Sequence, residues 1–242
     1  METLSRLNPV LEILQSSPRR IIKLFLVEQL PNPRLKQVFR LARQHNVPVV
    51  LVPRKKLDRL QPHHQGLVAW LSPKPYADLK QVLERSPCPF LVVLDSVEDP
   101  QNLGAILRSA EGGGVDAVII PARRAAGLTE AVAAVSAGAW EHIPLCREKN
   151  LARTLAWLKE KGLWVVGAEA GAGQLWYEFD YSQPVAIVLG SEGRGLRPII
   201  RRQCDVLLAL PLLGKVSSLN VAATAAVFIY EVVRQRGAEG RE

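Results

Sequence analysis

Hydrophobic positions in the last two thirds of the chain form short continuous apolar runs that alternate with segments of helical periodicity. The runs predict strands at Phe90–Leu94, Ala117–Ile120, His142–Leu145, Leu163–Gly167, Val185–Leu189 and Val206–Leu210. Helices are predicted at Asn102–Glu111, Thr129–Val135, Leu151–Lys161 and from Ser218 onward. Because continuous apolar strands are buried on both faces, the pattern predicts an α/β fold with a parallel sheet between two layers of helices.

The first 75 residues show a separate pattern of short elements. Helices are predicted from Asn8–Pro9 to Leu14 and at Arg34–Gln44, and strands at Ile21–Val27, Val47–Val52 and Gly66–Leu71. This order predicts a small αβα sandwich over residues 1–75. A helix-like linker over 76–88, flanked by prolines, would then lead to a larger domain over 89–242.

The net charge of +8 belongs entirely to the N-terminal part of the chain. Residues 1–88 hold 15 Lys and Arg against 6 Asp and Glu, whereas residues 89–242 hold 16 against 17. The first domain is therefore predicted to bind a nucleic-acid backbone, so that salt weakens binding mainly through residues 1–88. A solvated basic face without a ligand is the alternative. The candidate RNA contacts are Arg19, Arg20, Arg54, Lys55, Lys56, Arg59 and His64.

Cysteine usage and apolar run lengths exclude several classes of protein. Cys88, Cys146 and Cys204 form no C-x-x-C pair, which favours reduced thiols in a cytoplasmic protein over a disulfide framework or a metal site. The N-terminus carries an acidic residue at position 2 and does not resemble a signal peptide, and no apolar run reaches the length of a membrane span. The apolar stretch Val221–Val233 is interpreted as a buried or partner-packed helix.

Ligands of open α/β sheets bind beyond the carboxyl ends of the strands, and three segments there contain candidate chemistry. Asp95–Ala110 combines an Asp-Pro turn with a helix that carries an arginine, and a plain capped helix would explain it equally well. Leu189–Leu196 is glycine-rich, but its G-x-x-G-x-G spacing is not the dinucleotide-binding motif. Leu208–Glu231 places hydroxyl and amide side chains before a small-residue helix that could also be a simple core helix.

These three segments resemble the signature motifs of the SpoU (TrmH) family of ribose 2′-O-methyltransferases, within the SPOUT superfamily. The matching positions are Asn102, Gly104 and Arg108, then Gly190 to Gly193 with Gly195, then Pro211, Gly214, Ser217, Ser218, Leu219 and Asn220. Asn8–Leu14, Asn32–Leu35 and His64–Ala69 are similar to the L30e-like substrate-binding domain of the subgroup that methylates guanosine in 23S ribosomal RNA.

The resemblance implies a C-terminal trefoil knot, a homodimer packed partly through the last helix, and S-adenosyl-L-methionine as methyl donor, with no metal. The implied catalytic residues are Arg108, Asn102, Glu192, Ser218 and Asn220. The implied donor-binding residues are Leu189, Gly190, Gly195, Leu210, Pro211, Ser218 and Leu219.

Two other functions stay open. The first is a 2′-O-methyltransferase acting on tRNA, although tRNA-specific relatives usually lack the basic N-terminal domain. The second is a non-catalytic RNA-binding protein of ribosome assembly, and the presence of Arg108, Glu192 and Asn220 together argues against it.

Overall fold

The computed structural model describes residues 2–216 and 218–238, so that Ser217 of the third motif lies outside the described residues. The chain divides into two compact units. The first consists of Met1–Pro75 and Leu128–His142, and the second of Tyr76–Gly127 and Ile143–Glu242. Among the described helices, none has the length and apolarity needed to cross a membrane.

The first unit contains a four-stranded mixed sheet. Its elements are β1 (Glu2–Leu4), α1 (Leu7–Ser16), β2 (Ile21–Val27), α2 (Pro33–Gln44), β3 (Val49–Val52), α3 (Arg54–Leu60), β4 (Leu67–Leu71) and α6 (Glu130–Val135). The strand order is β1-β4-β2-β3, with β2 parallel to β3 and antiparallel to β4.

Alternation along β2 shows why helices cover both faces of this sheet. Phe25 clusters with Leu57 of α3, whereas the neighbouring Leu24 and Leu26 are also fully buried. Because successive side chains of a strand point to opposite faces, both faces of β2 are buried, as the predicted sandwich requires. Helix α2 begins where the Asn32 side chain accepts a hydrogen bond from the Leu35 N–H at 2.9 Å.

Residues 128–142 are a part of the first unit that chain order does not predict. The Glu130 carboxylate accepts hydrogen bonds from Ser5 Oγ at 2.7 Å and from Gln61 Nε2 at 3.0 Å. Glu141, which is buried, forms an ion pair with Arg20. The sequence pattern placed this segment in the larger domain because these contacts join residues more than 60 positions apart.

The second unit contains a seven-stranded parallel sheet. Its elements are α4 (Leu79–Leu83), β5 (Phe90–Asp95), α5 (Pro100–Gly112), β6 (Ala117–Pro121), β7 (Leu145–Glu148), α7 (Leu151–Glu160), β8 (Trp164–Ala168), β9 (Gln174–Leu175), β10 (Val185–Gly190), α8 (Pro198–Arg201), β11 (Val206–Ala209) and α9 (Val221–Ala238). The strand order is β7-β6-β5-β10-β8-β11-β9, and every recorded pairing is parallel. The predicted α/β class with a parallel sheet is confirmed.

Two predictions differ in part from the structure. The strand expected at His142–Leu145 is instead β7, because a 3₁₀ turn at Ala139–Glu141 occupies the preceding residues and His142 is exposed. The stretch 76–88, predicted to be a helix-like linker, does contain the helix α4, but its Leu79 and Val82 are buried in the core of the second unit. Both differences arise from tertiary packing that local periodicity does not encode.

The register of the sheet aligns the ends of its central strands. Every residue of β5 is buried, and Gly190 at the end of β10 pairs with Asp95 at the end of β5. Val93 of β5 pairs in turn with Ile119 of β6. The loops after β5, β6 and β10 therefore leave the sheet at the same edge, where α/β proteins bind their ligands.

Candidate active site

A buried carboxylate fixes the loop that follows β10. Asp95 is fully buried and accepts hydrogen bonds from the Arg197 N–H at 2.9 Å and from Arg197 Nε at 2.6 Å. A buried carboxylate needs such charged, hydrogen-bonded partners to offset its desolvation. This ion pair connects Arg197, the last residue of the loop 191–197, to the end of β5.

Three side chains, one from each of the three motif segments, meet at this edge of the sheet. Asn220 Nδ2 donates to Asn102 Oδ1 at 2.9 Å and also to Glu192 Oε1. The same Glu192 oxygen accepts from the Val221 N–H at 3.2 Å. Asn220 Oδ1 caps α9 by accepting a hydrogen bond from the Ala222 N–H at 2.9 Å. Both the oxygen and the nitrogen of the Asn220 side-chain amide are therefore hydrogen-bonded. The cap and the contacts with Asn102 and Glu192 fix one orientation of Asn220.

A cavity of about 400 Å³ lies beside this cluster. Its walls are the ends of β8, β10 and β11, together with the loops that follow β10 and β11. Among the residues lining it are Leu189, Gly190, Glu192, Gly195, Leu210, Ser218 and Leu219. The volume and the mixture of apolar and polar groups in the wall suit a small organic ligand.

Glycines give the loop after β10 its tight shape. A Cβ atom at position 190 would lie 2.1 Å from the carbonyl carbon of Gly195, so only glycine fits there. Gly193 and Gly195 have φ values of +76° and +63°, which favour glycine. Ser191 and Gly195 close the loop by two backbone hydrogen bonds of 3.2 and 2.9 Å. Because the three glycines have no side chains, the backbone of this loop is exposed to the cavity.

The structure brings together most, but not all, of the site residues that the sequence predicts. Pro211 does not line the cavity, although its neighbour Leu210 does. Arg108 lies on the exposed face of α5 and, within the described residues, shares no hydrogen bond with the Asn102–Glu192–Asn220 cluster. Sequence reasoning missed the cavity wall formed by Ala168 and Glu169 at the end of β8. The position of β8 beside β10 in the sheet could have indicated it.

The N-terminal candidates separate into exposed and internally bonded residues. The exposed ones are Arg19, Arg54, Lys55, Lys56 and Arg59. Arg20 instead pairs with Glu141 and lies over the Trp140 ring at 5.1 Å. His64 is buried between Asp58, 3.0 Å from its Nε2, and the Gly66 N–H, which donates to its Nδ1 at 3.0 Å. Arg20 and His64 thus stabilise the first unit itself, which leaves the five exposed side chains as candidate RNA contacts.

The cysteines have structural positions. Burial raises the pKa of the Cys146 and Cys204 thiols to about 12, so both remain protonated near neutral pH. Over residues 2–216 and 218–238, no group of three or more His, Cys, Asp or Glu side chains is arranged to hold a metal ion.

Two family models cover most of the chain. Residues 89–230 match the model of the SpoU rRNA Methylase family. Residues 7–77 match the model described as RNA 2′-O ribose methyltransferase substrate binding.

Individual relatives match the chain over nearly its full length. YacO of Bacillus subtilis, a protein assigned to the TrmH family of tRNA/rRNA methyltransferases, is 44% identical over 96% of this chain and 95% of its own. The 23S rRNA (guanosine-2′-O-)-methyltransferase RlmB of Pseudomonas putida is 42% identical over 98% and 97%.

A solved structure has the same fold. The SpoU methyltransferase AviRb of Streptomyces viridochromogenes, crystallised with its cofactor AdoMet, superposes with a TM-score of 0.83 at 24% identity. The superposition covers 98% of this chain and 90% of AviRb. Given the family model over residues 89–230 and relatives above 40% identity across the whole chain, the protein belongs to the SpoU rRNA methylase family.

Proposed function

We propose that this protein transfers a methyl group from S-adenosyl-L-methionine to a ribose 2′-hydroxyl, that of a guanosine in 23S rRNA. The observation that carries the proposal is the meeting of Asn102, Glu192 and Asn220, drawn from three distant segments, at the rim of one cavity. The relatives named for 23S rRNA support ribosomal RNA as the substrate. A cytoplasmic location, where ribosomal RNA is modified in bacteria, forms part of the proposal.

The cavity residues fit this methyl donor. Leu189, Leu208 and Leu210 offer apolar surface for a flat base, and the Gly190–Gly195 loop brings backbone groups close enough to hydrogen-bond it. When bound, the donor supplies an electrophilic methyl group on a sulfonium centre, which needs no metal. The chain's own task is then to align the ribose and to stabilise charge on its 2′-oxygen.

Arg108 and Glu192 have distinct roles in this proposal. A guanidinium stays protonated in proteins, so Arg108 stabilises the developing negative charge on the 2′-oxygen instead of acting as a base. The proposed acceptor of the 2′-hydroxyl proton is a phosphate oxygen of the substrate. Glu192 Oε1 is held by Asn220, while its Oε2 accepts no hydrogen bond from the described residues and is placed to orient a nucleotide hydroxyl. Ser218, exposed at the cavity, completes the site.

Labelled S-adenosylmethionine tests the activity directly. Incubated separately with unmodified 23S rRNA and with unmodified tRNA, the protein is expected to label only the 23S rRNA, on a guanosine ribose. Mass spectrometry of the digested RNA locates the methyl group. Absence of label in both RNAs would contradict the enzymatic proposal and favour a binding protein, whereas label in tRNA alone would contradict the ribosomal substrate.

We also propose that the C-terminal chain forms the trefoil knot of the family. After β11, on the far side of β8, the chain returns to pack α9 against α5 next to β5, passing the loop closed at Ser191 and Gly195. This path fits threading of the C-terminal chain within residues 189–219, as the family resemblance implies, an exception to the usual absence of knots. A crystal structure in which the chain after β11 passes through no loop of the preceding chain would contradict the knot.

A second copy of the chain is the proposed partner of α9. Val227, Tyr230 and Val233 form an exposed stripe at helical spacing along this helix. Exposed apolar stripes of this kind are typical of protein–protein interfaces. The exposed stripe and the family resemblance together support a homodimer.

Substitution Tyr230→Asp should disrupt this dimer, because it places a charge in the centre of an apolar contact. We expect its Kd to rise at least about 30-fold, which corresponds to the roughly 2 kcal/mol of a hot-spot residue. Light scattering over a dilution series measures the change. Ile199→Asp, at a residue of similar exposure on α8, is the matched control and should leave the dimer intact. A wild-type protein that is monomeric throughout the series would contradict the proposal.

A further inference from the structure

The loop after β6, residues 122–127, is anchored at both ends. At its start the Ala122 N–H donates to the Glu148 carbonyl at 2.8 Å, and the Ala122 carbonyl accepts from Arg147 at 2.7 Å. At its end Ala126 is buried, and its N–H donates to the Val97 carbonyl at 3.0 Å. The residues between these anchors are consequently held in a defined position.

Arg123 and Arg124 occupy the exposed tip of this loop. Arg124 has a φ of +60°, a left-handed conformation that is uncommon for arginine and persists only where the surrounding structure enforces it. Two adjacent guanidinium groups are thus presented to solvent from a short, anchored turn.

The loop lies at the same edge of the sheet as the candidate active site. Its contact with Val97 joins it to the segment between β5 and α5, and Asp99 in that segment caps the helix that carries Asn102 and Arg108. Since β6 is the neighbour of β5 and β5 the neighbour of β10, the loop begins one strand away from Asp95 and two strands away from the Gly190 loop.

The two arginines also differ from three other arginines of the second unit in having no carboxylate partner among the described residues. Arg197, Arg201 and Arg234 each pair with a carboxylate of this unit. Across the described residues, neither Arg123 nor Arg124 forms an ion pair. This is notable because residues 89–242 have slightly more acidic than basic side chains.

We propose that Arg123 and Arg124 bind the sugar–phosphate backbone of the substrate RNA beside the target nucleotide. The inference rests on the proposed function and extends it, since it assigns an RNA contact to the catalytic unit, whose overall charge predicts none. Guanidinium groups on an anchored loop suit phosphate oxygens, which they bind by charge-assisted hydrogen bonds. Such contacts fix the position of the RNA without reading its sequence.

The double substitution Arg123→Gln and Arg124→Asn tests the proposal. Asparagine is chosen at position 124 because it tolerates the left-handed conformation. Binding of transcribed, unmodified 23S rRNA is measured over a salt series, and we expect the slope of log K against log salt to flatten by about 1.5. In the methylation assay KM for RNA should rise roughly tenfold with kcat nearly unchanged, as for two exposed phosphate contacts. The Kd for S-adenosylmethionine should stay constant, which also shows that the unit is folded.

The matched control removes two exposed cations from the other edge of the same sheet. Arg85→Gln with Lys161→Gln makes the same change in net charge just before β5 and β8, and it should leave slope and KM near wild type. Arg123→Lys with Arg124→Lys should retain most of the salt slope. Equal losses in the test and control variants, or no change in the test variant, would overturn the inference. A wild-type protein that binds 23S rRNA without methylating it would contradict the proposed function, while the salt slopes would still decide this inference.

Discussion

The variant Arg108→Ala is expected to lose methyl transfer to 23S rRNA by about 100- to 1,000-fold, the effect of removing one charge-stabilising group from a transition state. Binding of S-adenosylmethionine should not change, because Arg108 lies on α5 and does not line the cavity. Single-turnover rates with labelled donor, together with calorimetry of donor binding, measure the two effects. Arg153→Ala, another exposed arginine of the same unit, is the control and should keep full activity.

The conservative variant Arg108→Lys separates two possible roles of this residue. If Arg108 stabilises negative charge, lysine should restore most of the activity, and the rate should not rise with pH as residue 108 loses its proton. If Arg108 were the base, the rate of the lysine variant would instead rise as the lysine loses its proton. Full activity of Arg108→Ala would contradict any role of this residue in the reaction.

A second large effect is expected from Gly190→Ala. The added methyl group would lie 2.1 Å from the backbone of Gly195, and backbone cannot move aside as a flexible side chain can. Because the loop must open, we expect the Kd for S-adenosylmethionine to rise at least about 100-fold. We also expect the free energy of unfolding to fall by about 3 kcal/mol, as for severe overpacking. Calorimetry and denaturant unfolding measure the two quantities.

Gly214→Ala provides the comparison. Gly214 is a glycine of the third motif, but a Cβ atom there would meet nothing within 4 Å. We therefore expect nearly wild-type stability and donor binding from this variant. Equal behaviour of the two alanine variants would show that the close approach at Gly190 does not shape the cavity.

The strands of the second unit could be predicted closely because each is an uninterrupted apolar run. Phe90–Leu94 and Val185–Leu189 differ from β5 and β10 only by the final Asp95 and Gly190. Helix α3 was not predicted, since its sequence RKKLDRL buries only Leu57 and shows almost no periodicity. The local hydrophobic pattern thus identifies strands and helices that bury a continuous apolar run or one whole apolar face. It misses elements that bury a single side chain.

Prediction of the site depended on motif spacing more than on physical pattern. Nothing in the local sequence indicates that Asn220 hydrogen-bonds Asn102, because 118 positions separate them and the contact requires α9 to return to α5. The resemblance identified these residues, and the structure adds their bonding. Arg123 and Arg124 lie outside all three motifs. Only the strand order of the sheet shows that their loop lies at the same edge as the site.

The contacts made by residues 128–142 determine how the first unit could be exchanged between relatives. A graft of residues 1–75 alone would separate Ser5, Gln61 and Arg20 from the carboxylates of Glu130 and Glu141 that they bind. A chimaera that replaces the whole first unit must therefore replace two segments, residues 1–75 and residues 128–142. These segments precede β5 and follow β6 in the chain. A substitution at Glu130 would accordingly weaken a unit most of whose residues lie more than 50 positions earlier in the chain.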